Sequence, residues 1–183
     1  MLSDLRNSAD YSLRQWFRWQ RRGLRIRNEP KDRLFARLPE GPRQVAESVA
    51  ARLLADYHLQ TLYNNSRAET YRENLFYLEM LERAVATARP PWPQTIRAAD
   101  IGPSSWFYVH ALHALLQWWE CPSGRRVNLS GYEADAYRVY VDFHSRFDHA
   151  QAHMQGLTGA HYVPERFTQQ PAAFDFITML FPF

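Results

Sequence analysis

The stretch Arg97–Leu112, "RAADIGPSSWFYVHAL", constrains the fold more than any other. An apolar run ends in Asp100, Ile101 and Gly102, passes through Pro103, Ser104 and Ser105, and continues directly into an apolar pattern of helical spacing. Strand, tight turn and helix in immediate succession form the unit from which parallel α/β sheets are built. Turns of this kind that hold nucleotide-like cofactors carry two or three glycines, whereas this one has Gly102 alone. The residues leave two readings open: a cofactor turn of variant composition, or a plain β-α corner in the core.

The pattern repeats downstream. "TIRAADI" reads as a buried strand, Ser105 to Trp119 as a helix and "RRVNLSGYE" as a second strand. Residues 134 to 154 have the spacing of a second helix, with Asp135, Arg138, Asp142, Arg146, His149 and His153 as its exposed stripe and Asp142–Arg146 as an i,i+4 pair. "AHYV" and "FDFITML" supply two further strands. Alternating strands and helices imply a mainly parallel sheet with right-handed crossovers, whose ligands bind at the carboxyl ends of the strands.

The region before "ARPPWPQ" is different. Prolines 90, 91 and 93 forbid a helix through this stretch and mark a boundary. The expected organisation is therefore a helical segment, 1–89, followed by an α/β core, 95–183. Residues 43–63 carry one helical pattern. A second opens at "NNSRAE", where Ser66 and Glu69 have capping-box spacing, and buries Tyr71, Leu75, Leu78, Leu81 and Val85. The first 37 residues are basic and aromatic, with a net charge of +6 against −3 for the remainder. There "LRQWFRWQRRGLRIR" interleaves Trp16, Phe17 and Trp19 with Arg14, Arg18, Arg21 and Arg22. Either an amphipathic helix docks its aromatics on the protein, or a nucleic acid or other anionic surface binds here.

Cys121 is the only cysteine, which excludes a disulfide framework and a cysteine zinc site. No apolar run approaches 18 residues and no leader precedes the first helix, so a cytoplasmic protein that does not enter a membrane is expected. On the helix after the turn, His110, His113 and Gln117 share one face and read as a polar solvent-side stripe, with no third ligand in place for a metal. No Gly-x-Ser-x-Gly elbow and no P-loop are present.

Taken in order, "AADIGPSSW", "LSGYEAD" and "FDFITMLFPF" resemble the first, second and fourth motifs of the class I S-adenosylmethionine-dependent methyltransferases, over about half the chain, Thr95 to Phe183. The resemblance implies a partial Rossmann-like fold, S-adenosylmethionine as cofactor and a helical cap before the core. It implies Asp100, Gly102, Ser104 and Glu133 around the donor, with Glu133 taking both ribose hydroxyls and Asp100 helping to position the methionine part. In "FDFITMLFPF" the polar residue of amino-methylating members is replaced by Leu180, while Pro182 and Phe183 retain an apolar, aromatic substrate side. Two glycine positions of the first motif fall on Ser104 and Trp106. A turn with one glycine, a proline and two serines suits an amino-acid-like tail better than a pyrophosphate. No catalytic side chain is assigned, and none is required, because transfer from a sulfonium is chiefly a matter of positioning.

The last strand ends with the chain at Phe183, so the sequence is expected to be a fragment, or its sheet edge to be covered by another copy or a partner chain. The alternative function is a non-catalytic methyltransferase-like interaction module that binds a protein or nucleic acid through its basic aromatic N-terminus.

Overall fold

The computed structural model describes residues 26–89, 91–168 and 173–180, together with Leu5, Arg6, Ser8, Ala9, Ser12, Leu13 and Leu24. The expectations for Arg14 to Arg22, Pro182 and Phe183 lie outside the described residues. The chain divides into two compact units that interleave in sequence: a helical unit, Ile26–Gln94 with Tyr108–Arg126, and a sheet unit built from Thr95–Phe107 and the residues from Val127 onward.

The helical unit contains α1 (Glu40–Asp56), a single turn α2 (Gln60–Asn64), α3 (Ala68–Ala88) and α4 (Val109–Trp118). The continuous helix expected over 43–63 is broken at His58, whose φ of 51° is left-handed. Tyr57 and Leu59 on either side are both buried, and the reversal between them lets both reach the core. The buried stripe of α3 is the expected one with Asn74 added. Its expected capping box does not form. Ser66 Oγ donates instead to Leu62 O at 2.6 Å, and the Ala68 N–H at the start of α3 donates to Glu29 Oε2 at 3.0 Å. The chain's one lysine, Lys31, donates to Asn28 Oδ1, Glu29 O and Ser66 O at 2.8–2.9 Å and lies over the rings of Tyr63 and Tyr71. Its burial lowers its pKa, yet every ammonium proton is placed.

Helix α4 begins at Val109, four residues later than the sequence suggests, and it packs with α3 in the helical unit. Seven of its ten residues are buried, including His113, so the solvent-side stripe His110–His113–Gln117 does not exist as such. A helix with apolar residues around most of its circumference buries whatever polar residue shares its wall. Asn74 on α3 accepts from the Ala111 N–H at 3.0 Å, and so caps an orphan amide in the first turn of α4.

The sheet unit contains β1 (Thr95–Ile101), β2 (Arg126–Tyr132), α5 (Arg146–His153), β3 (Ala160–Val163) and β4 (Phe176–Thr178). The fold is α/β, with a four-stranded, all-parallel sheet of order β3-β2-β1-β4, a partial Rossmann-like arrangement. Ala98, Ala99 and Asp100 pair with Phe176, Ile177 and Thr178, and Leu129 to Tyr132 pair with Ala160 to Val163. The chain adds β2 and β3 on one side of β1, then crosses to place β4 on the other. That reversal is the topological switch point at which ligands of such sheets sit. Among the described residues no helix is long and apolar enough to cross a membrane.

The helix expected over 134–154 is confined to Arg146–His153. Residues 138–146 form a hairpin instead, with Val139 bridged to Ser145 and Tyr140 N–H donating to His144 O at 2.9 Å. The run Val139-Tyr140-Val141 favours extended backbone, and the helix begins only at a capping box, where Ser145 Oγ accepts from the Asp148 N–H and the Asp148 carboxylate accepts from the Ser145 N–H. Asp142 and Arg146 consequently do not pair. Asp142 faces His149, with Oδ2 to Nε2 at 2.9 Å, and Arg146 turns inward to Glu133. Phe143, which a helix over 134–154 would have turned to the side opposite the exposed stripe, is 60% exposed at the hairpin tip.

Candidate ligand turn at the ends of the first two strands

The carboxyl end of β1 runs into a turn whose backbone is left-handed at three alternating residues. φ is 69° at Gly102, 56° at Ser104 and 54° at Trp106. These are the three positions that glycine occupies in the motif this turn resembles. The polypeptide keeps a glycine-loop path with only one glycine. A serine and a tryptophan held there each cost about 1–3 kcal/mol of backbone strain, so the surrounding contacts must fix them.

Three contacts hold Ser104, and each comes from a different segment. Its N–H donates to Glu133 Oε2 at 2.9 Å, its Oγ lies 3.0 Å from the Tyr140 hydroxyl, and its carbonyl accepts from the Tyr162 hydroxyl at 2.6 Å. Burial drives the Tyr162 hydroxyl pKa well above the usual phenol range, and the neighbouring Glu133 carboxylate adds to the rise. Tyr162 therefore stays a proton donor. The turn is also fastened to β2 by Gly102 N–H donating to Tyr132 O at 2.9 Å.

Trp106 is fully buried, and its indole Nε1–H donates to Asp100 Oδ2 at 2.8 Å. The other Asp100 oxygen accepts from Thr178 Oγ1 on β4 at 2.9 Å. Asp100 is itself wholly buried and braces β1, the turn and β4 together. The indole lies against Gly131 of β2, where a Cβ would stand 2.9 Å from the ring. Glycine at that strand position makes room for tryptophan in the turn.

Glu133, just past β2, is 5% exposed. Besides Ser104 N–H it accepts from Asp135 N–H at 2.9 Å and from Arg146 Nη1 at 3.1 Å. An ionised carboxylate offers about four acceptor directions, so among the described residues three are used and one remains. Among the described residues the buried Arg146 Nε has no hydrogen-bond partner, which leaves the guanidinium only partly engaged.

The structure thus brings Gly102, Ser104 and Glu133 together and places Asp100 beneath them rather than among them. Leu180 follows β4, partly exposed. Sequence reasoning missed Trp106, Gly131, Tyr140, Arg146 and Tyr162. A glycine inside a strand at "LSGYE" is the legible sign of close approach, but nothing in the sequence tells which side chain approaches. Among the described residues no group of three or more His, Cys, Asp or Glu is arranged to hold a metal ion.

Fold and turn together define an α/β protein with a partial Rossmann-like sheet and a strained turn at its switch point. No known protein family, curated protein or solved structure matches the chain.

Proposed function

We propose that the turn 102–106 and Glu133 hold an adenosyl cofactor of the S-adenosylmethionine type, and that the chain acts as a methyltransferase or as its cofactor-binding half. The observation that carries this reading is the left-handed backbone at Gly102, Ser104 and Trp106, maintained without glycine at two of the three positions. Strain of this kind persists where surrounding structure over-determines it, and it clusters at ligand sites. The bound donor supplies an activated methyl group on a sulfonium. The residues of this chain bind and orient. Glu133 offers its remaining acceptor direction to a ribose hydroxyl and frees a second by loosening Arg146. Tyr140 and Tyr162 hold Ser104, and with it the turn, in place. Asp100 supports the turn from below through Trp106 and makes no direct contact with the donor, which departs from the role the resemblance implies. A cytoplasmic location accompanies this reading.

Two observations favour a second reading, a non-catalytic module. Glu133 already has three internal donors, and a tryptophan fills the third glycine position. Titration calorimetry with S-adenosylmethionine and S-adenosylhomocysteine separates the two. The first reading expects saturable binding that falls at least tenfold in Glu133→Gln, with the melting temperature checked alongside. Wild-type protein that binds neither compound leaves the module reading standing.

A further inference from the structure

The helical unit contains an apolar groove that the turn at the strand ends does not use. It is formed by Val45, Val49 and Leu53 of α1 facing Leu75 and Phe76 of α3, with Phe35 closing one end, and its volume is about 580 Å³. Val45 and Phe76 at its mouth are 65% and 62% exposed. An adjoining cleft of about 440 Å³ shares Phe35 and Arg72 with the groove and adds Arg33 and Arg37. Each volume is within the range of about 300–1,000 Å³ typical of small-molecule sites, which are mostly apolar with a few placed polar groups.

The charges lie at one end. Arg72 meets Glu69 only at 4.0 Å and Arg33 meets Asp32 only at 4.0 Å, in both cases between well-exposed side chains. Pairs this loose and solvated are worth little, so among the described residues nothing holds either guanidinium group firmly. Arg37 has no ion-pair partner among the described residues. Two acids also line the paired cavity: Glu79 on the groove side is engaged by Arg83 at 2.6 Å, and Glu69 in the cleft is set against three guanidinium groups, Arg33, Arg37 and Arg72. The result is an apolar groove adjoined by a cleft whose lining carries three guanidinium groups and one carboxylate, a net positive end.

We propose that this paired cavity binds an unbranched aliphatic chain carrying an anionic head, of the fatty-acid type. The chain lies between α1 and α3, and the carboxylate meets Arg72 and Arg37, where bidentate contact suits guanidinium. Burial of methylene groups supplies affinity, and the arginine end sets the orientation and excludes cationic amphiphiles.

The test is calorimetry on the full chain with dodecanoate, dodecanol and dodecyltrimethylammonium, each below its micelle concentration. Dodecanoate is expected to bind one-to-one and at least tenfold more tightly than the other two. The double variant Arg37→Gln/Arg72→Gln, whose changes are on exposed side chains, is expected to reduce dodecanoate to the level of dodecanol. Ala46→Trp, which fills the groove, is expected to weaken dodecanoate and dodecanol alike, with circular dichroism confirming an intact helical unit. Glu133→Gln is expected to leave dodecanoate binding unchanged, so the result is independent of the methyl-donor reading. Equal binding of the three compounds, non-saturating uptake, or an unaltered affinity in the double arginine variant would overturn the proposal. So would concentration-dependent dimerisation that Phe76→Ser abolishes, because the groove would then be an interface between copies.

Discussion

In the helical unit, the non-glycine residues with left-handed backbone are His58, Arg89 and Glu120. Each lies at or just past the end of a helix: α1, α3 and α4 respectively. A left-handed residue there closes the last turn and is an ordinary helix stop. In the sheet unit, the corresponding residues among those described are Ser104, Trp106 and Phe143, and none of them ends a helix. Two occupy the turn after β1 and are fixed by contacts from Glu133, Tyr140, Tyr162 and Asp100. The same dihedral angle therefore marks termination in one unit and an imposed backbone path in the other. Polar groups divide in a similar way. Lys31, Asn74 and Glu82 of the helical unit are occupied with capping and pinning, whereas Glu133 and Arg146 keep hydrogen-bonding capacity that no described residue uses, beside a strained turn.

Trp106→Ala should produce the largest effect. It removes a fully buried indole and its bond to Asp100, and should lower stability by about 3–5 kcal/mol in chemical denaturation. If the loss were under 1 kcal/mol, the indole would not be holding the turn. Asn74→Ala should cost the helical unit about 1–3 kcal/mol, since it leaves the Ala111 amide uncapped. Its hydrogen-exchange signature should be confined to α3 and α4. Ser104→Val and Ser104→Gly sharpen the comparison further. A β-branched residue cannot hold φ near 56° without strain and should destabilise by about 1–3 kcal/mol. Glycine relieves the strain, loses only the Tyr140 contact, and should stay within about 1 kcal/mol of wild type. At His58, by contrast, glycine should be neutral or stabilising.

The smallest expected effect depends on pH. Burial lowers the pKa of His149 despite the opposing Asp142 carboxylate, with His144, Asp148, His153 and the Tyr140 ring also around it. A histidine that binds its proton less readily when folded than when unfolded contributes stability above its unfolded pKa of about 6.5 and loses it as the pH falls. Melting temperature should therefore drop between pH 7.5 and 5.5, and His149→Gln should flatten part of that slope. An unchanged slope would mean that other groups govern it.

How much of this was legible in the sequence follows from how local each signal is. The bounds of β1 and the buried stripe of α3 were readable because period and composition are properties of the segment itself. The hairpin 138–146 was not, because residues 134–154 satisfy helical spacing equally well, and Glu133's need for Arg146 is a tertiary matter. Its one local clue was Ser145 and Asp148 at capping-box spacing, the same signal that misled at Ser66 and Glu69, where Glu29 supplies the cap from far along the chain. Glu133 was singled out by the resemblance of "LSGYEAD" to a cofactor motif and by its place at a strand end, whereas its partners Ser104, Asp135 and Arg146 come only from the fold. That Asp100 lies sealed beneath Trp106 depends on Gly131, 31 positions away, and no short window contains it.

The central claim is that the turn after β1 and Glu133 form a ligand site. The most direct measurement is two-dimensional amide NMR of the full chain titrated with S-adenosylhomocysteine. Saturable shifts are expected at residues 102–106 and 133–135, largest at the Ser104 amide now bonded to Glu133, with α1 and α3 unmoved. Spectra that stay unchanged at millimolar ligand, or shifts confined to the helical unit, would contradict it.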